Sequence, residues 1–165
     1  MIIFTATLIK CCKYISLISS ILITLFLLLH DWIDIYPLND LATFNKHCSL
    51  RNKILMTCVN TPFFIIYTAI LLFYWTTPFP WYAKTYLIVC NALFSIGIIF
   101  SWWLPYLFGW PAEQAKELHE THSSTHTFLP AINNNPIPNT LHVIFHLVFF
   151  INMITTIILI YHQWV

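Results

Sequence analysis

The sequence predicts an all-α integral membrane protein, a bundle of four transmembrane helices with a short extra helix in the third loop. Two observations lead to this fold class. The chain is 59% hydrophobic and only 8% charged, whereas charged residues make up about 25% of an ordinary soluble domain. It also contains four long apolar stretches, each near the ~20 residues needed to cross the hydrocarbon, at residues 14–29, 54–75, 86–108 and 141–161. We expect residues 1–165 to form a single membrane domain.

Small hydroxyl side chains mark a packing face on the first span. Their three- and four-residue spacing places them on one side of a helix and lets a neighbouring helix approach closely. They are Ser16, Ser19, Ser20 and Thr24. Pro37 follows the span as a helix stop. No small-residue cleavage site follows Leu29 before the acidic residues begin, so we expect the first span to be retained.

The first loop, residues 30–53, carries acidic residues directly after a helix C-terminus. Asp31 and Asp34 oppose the helix macrodipole there, so we expect each to be solvated or to pair with a cation of the same loop. The available cations are Lys46, Arg51 and Lys53. Asp40 is placed to cap a short helical turn over residues 41–47.

Spans two and three are joined by a short loop at residues 76–84. Pro62 lies inside span two and predicts a kink, because proline has no N–H to donate. Trp81 and Tyr82 in the loop, and Trp102 and Trp103 at the far end of span three, match the aromatic belts of the two membrane interfaces.

The third loop, residues 109–140, predicts the extra helix. Gly109 suits a helix end, and Pro111 suits the first position of a new helix. On that helix, the glutamates at positions 113, 117 and 120 would share one side, while His119 and His122 lie on the other. A connector rich in asparagine and proline, residues 133–139, then leads to span four.

The two polar loops must emerge on the same membrane face, because two spans separate them. All six carboxylates and seven of the eight histidines therefore gather at one surface. The seven lysine and arginine side chains divide four to three between the two faces, which gives no usable positive-inside bias.

The histidines at this surface predict a candidate site for a divalent transition metal. His142 and His146, at i and i+4 in span four, project from one helix face and can present two imidazoles to one ion. A complete site needs at least three protein ligands. The loop residues able to complete it are His30, His119, His122, His126, Asp31 and Asp34. The alternative is structural, with both span-four histidines bonded to helix neighbours near the interface.

Composition argues against nucleic-acid and nucleotide partners. The formal net charge is +1 and the lysines are scattered, so there is no basic footprint for nucleic acid. Gly97 and Gly109 are the only glycines, which excludes a glycine-rich phosphate loop. The five cysteines contain no Cys-x-x-Cys pair, so we do not expect a disulfide framework.

Three short segments carry a resemblance to known proteins. At Trp-Leu-Pro-Tyr-Leu-Phe-Gly (103–109), Thr-His-Thr-Phe-Leu-Pro (125–130) and Pro-Asn-Thr-Leu-His (138–142), the chain resembles a group of small bacterial membrane proteins with no assigned activity. The resemblance implies a location in the bacterial inner membrane. It transfers no catalytic residue to this chain.

Two functional classes remain open. The favoured class is a non-enzymatic accessory, assembly or structural membrane protein. It would lie in the lipid bilayer and bind another membrane protein, or a second copy of itself, through Trp32, Trp110 and the acidic helix. The alternative is a membrane-embedded metal-binding protein or enzyme that uses the histidine and carboxylate cluster, acting on a lipid or isoprenoid at the interface. Bound metal would distinguish the two classes.

Overall fold

The computed structural model describes the backbone of residues 2–162 and the side chains of residues 6–162. Its elements in chain order are α1 (Ile2–Leu29), α2 (Leu41–His47), α3 (Leu50–Phe73), α4 (Trp81–Ile98), a π-helical segment (Ile99–Trp103), α5 (Leu104–Phe108), α6 (Ala112–His122) and α7 (Thr140–His162). Within this range there is no strand, and four helices are long and apolar enough to cross a membrane: Ala6–Leu29, Leu50–Phe73, Trp81–Phe108 and Thr140–His162. The predicted all-α bundle of four spans is confirmed.

Two of the helices begin earlier than the apolar stretches predicted for them. α1 begins well before residue 14, because Lys10 and Lys13 do not end it. Lys13 instead extends its side chain and donates from Nζ to the Trp75 carbonyl at 2.8 Å, so its stem lies along the bundle. Span three begins at Trp81, directly after Pro80, since proline is tolerated at a helix start but not in its interior.

Polar side chains join α1 to α7 inside the bundle. The Ser16 hydroxyl lies 2.8 Å from that of Thr155 and 2.9 Å from that of Thr156. The Ser19 hydroxyl donates to Asn152 Oδ1 at 3.0 Å. Serine side chains are small enough to let the helix backbones approach, and the hydrogen bonds satisfy polar groups that have no water available in hydrocarbon. The predicted packing face of the first span is confirmed.

The first and third loops pack against each other at one end of the bundle. Ser124 Oγ donates to Asp40 Oδ2 at 2.7 Å, and the His126 N–H donates to the Pro37 carbonyl at 2.7 Å. Asp40 also caps α2, as predicted, by accepting from the Thr43 N–H at 3.0 Å. The hydrogen bonds to Asp40, first that of Thr43 and then that of Ser124, lower its pKa to about 2. The two loops therefore lie together at one end of the bundle.

Gly109 ends span three in a conformation that requires glycine. Its φ is +65°, in the left-handed region. A β-carbon there would lie 2.7 Å from Asn135 Oδ1, and the Asn135 amide donates to the Tyr106 carbonyl at 2.9 Å. The extra helix α6 then begins at Ala112, one residue after Pro111. The hydrogen bond from Asn135 to Tyr106 holds the connector that follows α6 against the end of span three.

A π-helical turn interrupts span three. The Leu104 N–H bonds to the Ile99 carbonyl, five residues earlier. Pro105 follows immediately, and because it has no N–H to donate, the regular α-helical pattern is weakened at this point. Single π turns inside α-helices occur frequently at functional sites. This turn lies beside the cavity described below and contributes Trp102 to its wall.

Candidate functional site

A cavity of about 440 Å³ lies at the loop end of the bundle. Pockets for small molecules usually measure about 300–1,000 Å³. Its walls come from α1, α2, α3, α4, the π-helical segment, α6, α7 and the first loop. The aromatic lining residues are Phe26, Phe44, Phe63, Phe94, Trp102 and Phe145, and the titratable ones are His30, Asp31, Glu117, His122, His142 and His146. The cavity is thus mostly apolar, with one group of histidines and carboxylates.

His142 lies at the centre of the histidines. Its ring centroid is 5.3 Å from that of His122 and 5.5 Å from that of His30, and its ring stacks on Trp102 at 3.8 Å. The side chain is buried. Four separate segments therefore meet at this one imidazole: the end of α1, the end of α6, the π-helical turn and the start of α7.

Asn139 fixes which nitrogen of His142 carries the proton. The Asn139 amide donates from Nδ2 to the Leu38 carbonyl at 3.2 Å, while its Oδ1 accepts from the His142 backbone N–H at 2.9 Å. Oδ1 also lies 2.7 Å from His142 Nδ1. Because Oδ1 can only accept, Nδ1 must donate. In the neutral ring, Nε2 of His142 is then left with a free lone pair.

Thr121 orients His122 in the same way. Its hydroxyl donates to the Glu117 carbonyl at 2.7 Å, so the 2.6 Å contact between the hydroxyl oxygen and His122 Nδ1 is donated by the ring. Burial, and secondly the nearby His30, lower the pKa of His122 to about 4. His122 is therefore neutral at neutral pH and also has a lone pair on Nε2.

His30 and Asp31 form a buried pair. His30 Nδ1 contacts the Phe26 carbonyl at 2.8 Å and must donate to it, while Nε2 lies 3.1 Å from Asp31 Oδ1. At this distance one of the two atoms must carry a proton, so that it bridges the imidazole and the carboxyl group. Burial is the largest influence on both groups: it lowers the pKa of His30 and raises that of Asp31, and their mutual attraction partly opposes it.

Lys53 is not the direct partner of Asp31, although the sequence suggested the cations of the loop for this role. Its Nζ lies 4.6 Å from the centroid of the Trp32 ring and donates to Asn45 Oδ1 at 3.0 Å. Its charge still acts on Asp31 and favours the ionised carboxylate. Asp34, in turn, is exposed and accepts from the Leu41 N–H at 3.3 Å. The solvation expected for Asp34 is therefore available.

His146 is the least satisfied polar group of the cavity. Its side chain is 1% exposed, and neither ring nitrogen has a hydrogen-bond partner in the part of the chain that the structure describes. Its ring lies beside Trp102 and Trp103, with centroids 5.7 and 6.0 Å away. Buried polar groups are nearly always paired with protein, water or ligand, so both nitrogens of His146 have bonding capacity directed to something other than protein.

The structure brings together some of the predicted metal ligands and separates others. Five of them line the cavity, and they are His30, Asp31, His122, His142 and His146. His119 is exposed and lies in a shallow groove on the other side of α6, because one position beyond the buried Leu118 rotates a side chain by about 100°. His126 is exposed and bonds to the Thr140 hydroxyl at 2.7 Å.

No three histidine, cysteine, aspartate or glutamate side chains among those described are arranged to hold one metal ion. The hydrogen bonds of His122 and His142 nevertheless leave Nε2 unprotonated, as in histidines that bind metals. The metal site therefore stays a prediction.

The cavity opens sideways between α3 and α4. Deeper in the membrane these helices are joined by the Tyr86 hydroxyl, which donates to the Phe63 carbonyl at 2.9 Å. Nearer the loops, Met56 on α3 and Leu93 on α4 line the cavity and are also exposed. A β-carbon at Gly97 would lie more than 4 Å from the heavy atoms of the described residues outside its own helical turn. These exposed positions lie on apolar spans, so this part of the opening faces lipid, while Glu117 of α6 is an exposed lining residue at the loop end.

Three features of the cavity were not identified from the sequence, namely Asn139, Trp102 and Gly97. Asn139 had a detectable signal, because an asparagine directly before a predicted helix is a common N-cap that accepts from the third residue after it. Trp102 was interpreted only as an interfacial residue, and its contact with His142 depends on the π turn. The opening at Gly97 depends on how two spans separate, which no local pattern encodes.

Comparisons of the chain with protein-family models, with curated proteins and with solved structures returned no match.

Proposed function

We propose that this protein is a non-enzymatic accessory membrane protein that binds one small amphiphile in its cavity. The observation that carries the proposal is the shape of the cavity, which opens to lipid between two spans and ends at a buried cluster of polar rings. An amphiphile matches both parts, since its apolar portion stays in an apolar environment while its polar group reaches hydrogen-bonding partners. The sequence resemblance supports a bacterial inner membrane as the location.

Entry from the lipid is supported by the way the loops cover the cavity. Phe44 of α2 and Leu118 of α6 both line it. The two helices are further connected by a contact of 3.7 Å between His47 and Glu120. Together with the hydrogen bond between Ser124 and Asp40, these contacts hold α2 and α6 across the aqueous side. The ligand therefore comes from the bilayer.

The test is to fill the opening. Gly97→Leu places a side chain where the structure has free space, and leucine is a better helix former than glycine by roughly 0.8–1 kcal/mol. The variant is expected to fold at least as well as the wild type but to lose its ligand. Native mass spectrometry of protein purified in a mild detergent measures this as the loss of a co-purifying small-molecule mass.

Ala92→Leu is the matched control. It adds the same side chain to the same helix at an exposed position that does not line the cavity, so the ligand mass should remain. If the wild type, Gly97→Leu and Ala92→Leu carry the same bound masses, or the wild type carries none after incubation with a bacterial lipid extract, the proposal is wrong.

A second candidate function, transition-metal binding, is favoured by the tautomers. His122 and His142 keep Nε2 unprotonated because Thr121 and Asn139 accept from Nδ1, and metal-binding histidines usually donate their other ring N–H to such an acceptor. The short distance between the two rings is compatible with a shared ion. The side chains would have to rotate to bring a third ligand to it.

Elemental analysis of the same purified samples separates the two candidates. Metal binding predicts about one zinc, iron, manganese or copper ion per chain, lost in His142→Ala and His122→Ala and retained in His162→Ala. His162 lies at the opposite end of α7. A wild type that contains no such metal and cannot be loaded with it would leave the amphiphile proposal alone.

A further inference from the structure

We propose that the polar group of the ligand is a neutral hydroxyl, which accepts a hydrogen bond from the ring of His146 and donates one to the ring of His142. The ligand is thus a membrane-soluble alcohol. This inference rests on the proposed function and specifies the chemistry of the same cavity.

The first step is the unmet bonding capacity of His146. A neutral imidazole has one N–H donor and one lone-pair acceptor. At His146 both lack a partner among the described residues while the side chain is almost completely buried. Leaving such buried groups unpaired is destabilising. A ligand atom that accepts from the N–H of His146 would remove one of these costs, whichever tautomer is present.

The second step is the lone pair on the neighbouring ring. Asn139 holds the Nδ1 proton of His142, so Nε2 can only accept. The ring centroids of His142 and His146 are 6.4 Å apart. One oxygen placed about 2.8 Å from a nitrogen of each ring fits within that separation. A hydroxyl oxygen accepts from one ring and donates its own hydrogen to the other.

An anionic head group is disfavoured by the charges of the site. The titratable lining residues include Asp31 and Glu117, and the described lining contains no lysine or arginine. Lys53, the buried cation of the first loop, does not line the cavity, and its Nζ is directed to Asn45. A carboxylate or phosphate would therefore enter a poorly solvated site without a cation, which is costly.

An ammonium head group meets a different obstacle. It has hydrogen-bond donors but no acceptor, so it cannot accept from the N–H of His146. Asp31 and Glu117 would attract its charge, but that charge would have to leave water for a mostly apolar cavity, which is costly. A hydroxyl satisfies a donor and an acceptor with one neutral atom.

The experiment compares three probes that share one chain and differ only in the head group: dodecanol, dodecanoic acid and dodecylamine. Each is added at neutral pH to delipidated protein, and native mass spectrometry measures the bound fraction as the probe is titrated. We expect the acid and the amine to bind at least about tenfold more weakly than the alcohol. Gly97→Leu should bind none of the three.

Variants of His146 test the assigned hydrogen bond. His146→Phe keeps an aromatic ring but removes both nitrogens. The affinity for dodecanol should therefore fall about tenfold, to the level of the other two probes. His146→Asn keeps one donor and one acceptor and should retain part of the preference for the alcohol. His126→Phe, at an exposed histidine outside the cavity, should leave all three affinities unchanged.

The possible failures are distinguishable. If the wild type binds all three probes equally, and Gly97→Leu binds none, the cavity holds an amphiphile but the hydroxyl assignment is wrong. An unchanged preference for alcohol in His146→Phe would also overturn the assignment. If no probe binds the wild type, or binding is insensitive to Gly97→Leu, the proposed function itself fails.

Discussion

At the scale of single residues, the chemistry of the cavity is decided by groups that are not histidines. Asn139, Thr121 and the carbonyl of Phe26 each accept the Nδ1 proton of a different imidazole. The rings are thereby oriented before any ligand arrives. This orientation, more than the number of histidines, determines which ring nitrogens can bond a ligand. The i and i+4 pattern located His142 and His146. The structure adds that His142 is bonded on Nδ1 to Asn139, a local helix-cap contact, and that neither nitrogen of His146 is bonded among the described residues.

The depressed pKa of His122 predicts a loss of stability in acid. Its ordinary pKa of 6.5 falls to about 4 in the folded protein. Between these values the unfolded chain binds a proton that the folded chain excludes, so stability is complete above pH 6.5 and decreases as the pH falls towards 4. The maximal effect is about 3 kcal/mol, since one pKa unit corresponds to about 1.4 kcal/mol.

His122→Gln isolates this contribution. The variant cannot titrate at this position, so its thermal midpoint in detergent should fall less than that of the wild type between pH 6.5 and 4. His30 also has a lowered pKa and stays present in both proteins, so the difference between the two curves reports His122 together with its repulsion by His30. Parallel midpoint curves for the two proteins would contradict the prediction.

At the scale of elements, the first span shows how small residues replace the hydrophobic effect inside a membrane. Lipid tails are as apolar as leucine, so helices associate through close packing and hydrogen bonds. Ser16 and Ser19 provide both, and each contacts α7. The large aliphatic side chains of the same helix point mostly outward, and Ile18 is 56% exposed.

Ser19→Leu should destabilise the bundle, while Ile18→Leu should not. The serine variant inserts extra atoms into a packed interface, which typically costs about 1–3 kcal/mol, and removes the hydrogen bond to Asn152. The isoleucine variant introduces the same residue one position away, on the lipid-facing side. Thermal midpoints in detergent measure both. An equal loss at the two positions would mean that α1 does not pack on α7 through its serine face.

Leu27 shows how far the packing face of α1 extends. It lies eleven residues after Ser16, and at about 100° per residue this returns it to within about 20° of the same side of the helix. Leu27 is accordingly 7% exposed, whereas its neighbour Leu28 is 44% exposed. The face marked by the serines therefore continues to the loop end of α1, where Leu27 lines the cavity.

At the scale of the whole molecule, the sequence predicts most of the fold and only part of the site. Hydrophobic length located four spans, and the Asp40 cap and Pro111 located α2 and α6, because these signals are local. The π turn follows the weakened helical pattern before Pro105, a signal in the sequence that was not used to predict it, whereas the gap at Gly97 arises from packing between spans. Convergence of the two loops was predictable because an even number of crossings returns the chain to the same side.

Cysteine labelling tests that arrangement in a membrane. The single substitutions Lys46→Cys and Glu113→Cys place a thiol in the first and third loops, and Thr77→Cys places one in the second loop, all at exposed positions. The background is a variant whose native cysteines are replaced by alanine. A membrane-impermeant maleimide should label positions 46 and 113 from the same side of the membrane, and position 77 from the other.

The outcome that would contradict the fold is labelling of positions 46 and 113 from opposite sides. The hydrogen bond between Ser124 and Asp40 could not then form within one molecule, and the cavity would lose its covering helices. Labelling of position 77 from the same side as the other two would instead contradict the assignment of α3 and α4 as complete spans.

The sideways opening between α3 and α4 also determines which concentration the protein responds to. A ligand that arrives through the bilayer is counted per lipid molecule, so occupancy depends on its mole fraction in the membrane and hardly on the volume of surrounding water. Adding lipid or detergent while the amount of ligand stays constant lowers the mole fraction of the ligand and so lowers the occupancy of the site. The protein would in this way report the composition of its own membrane.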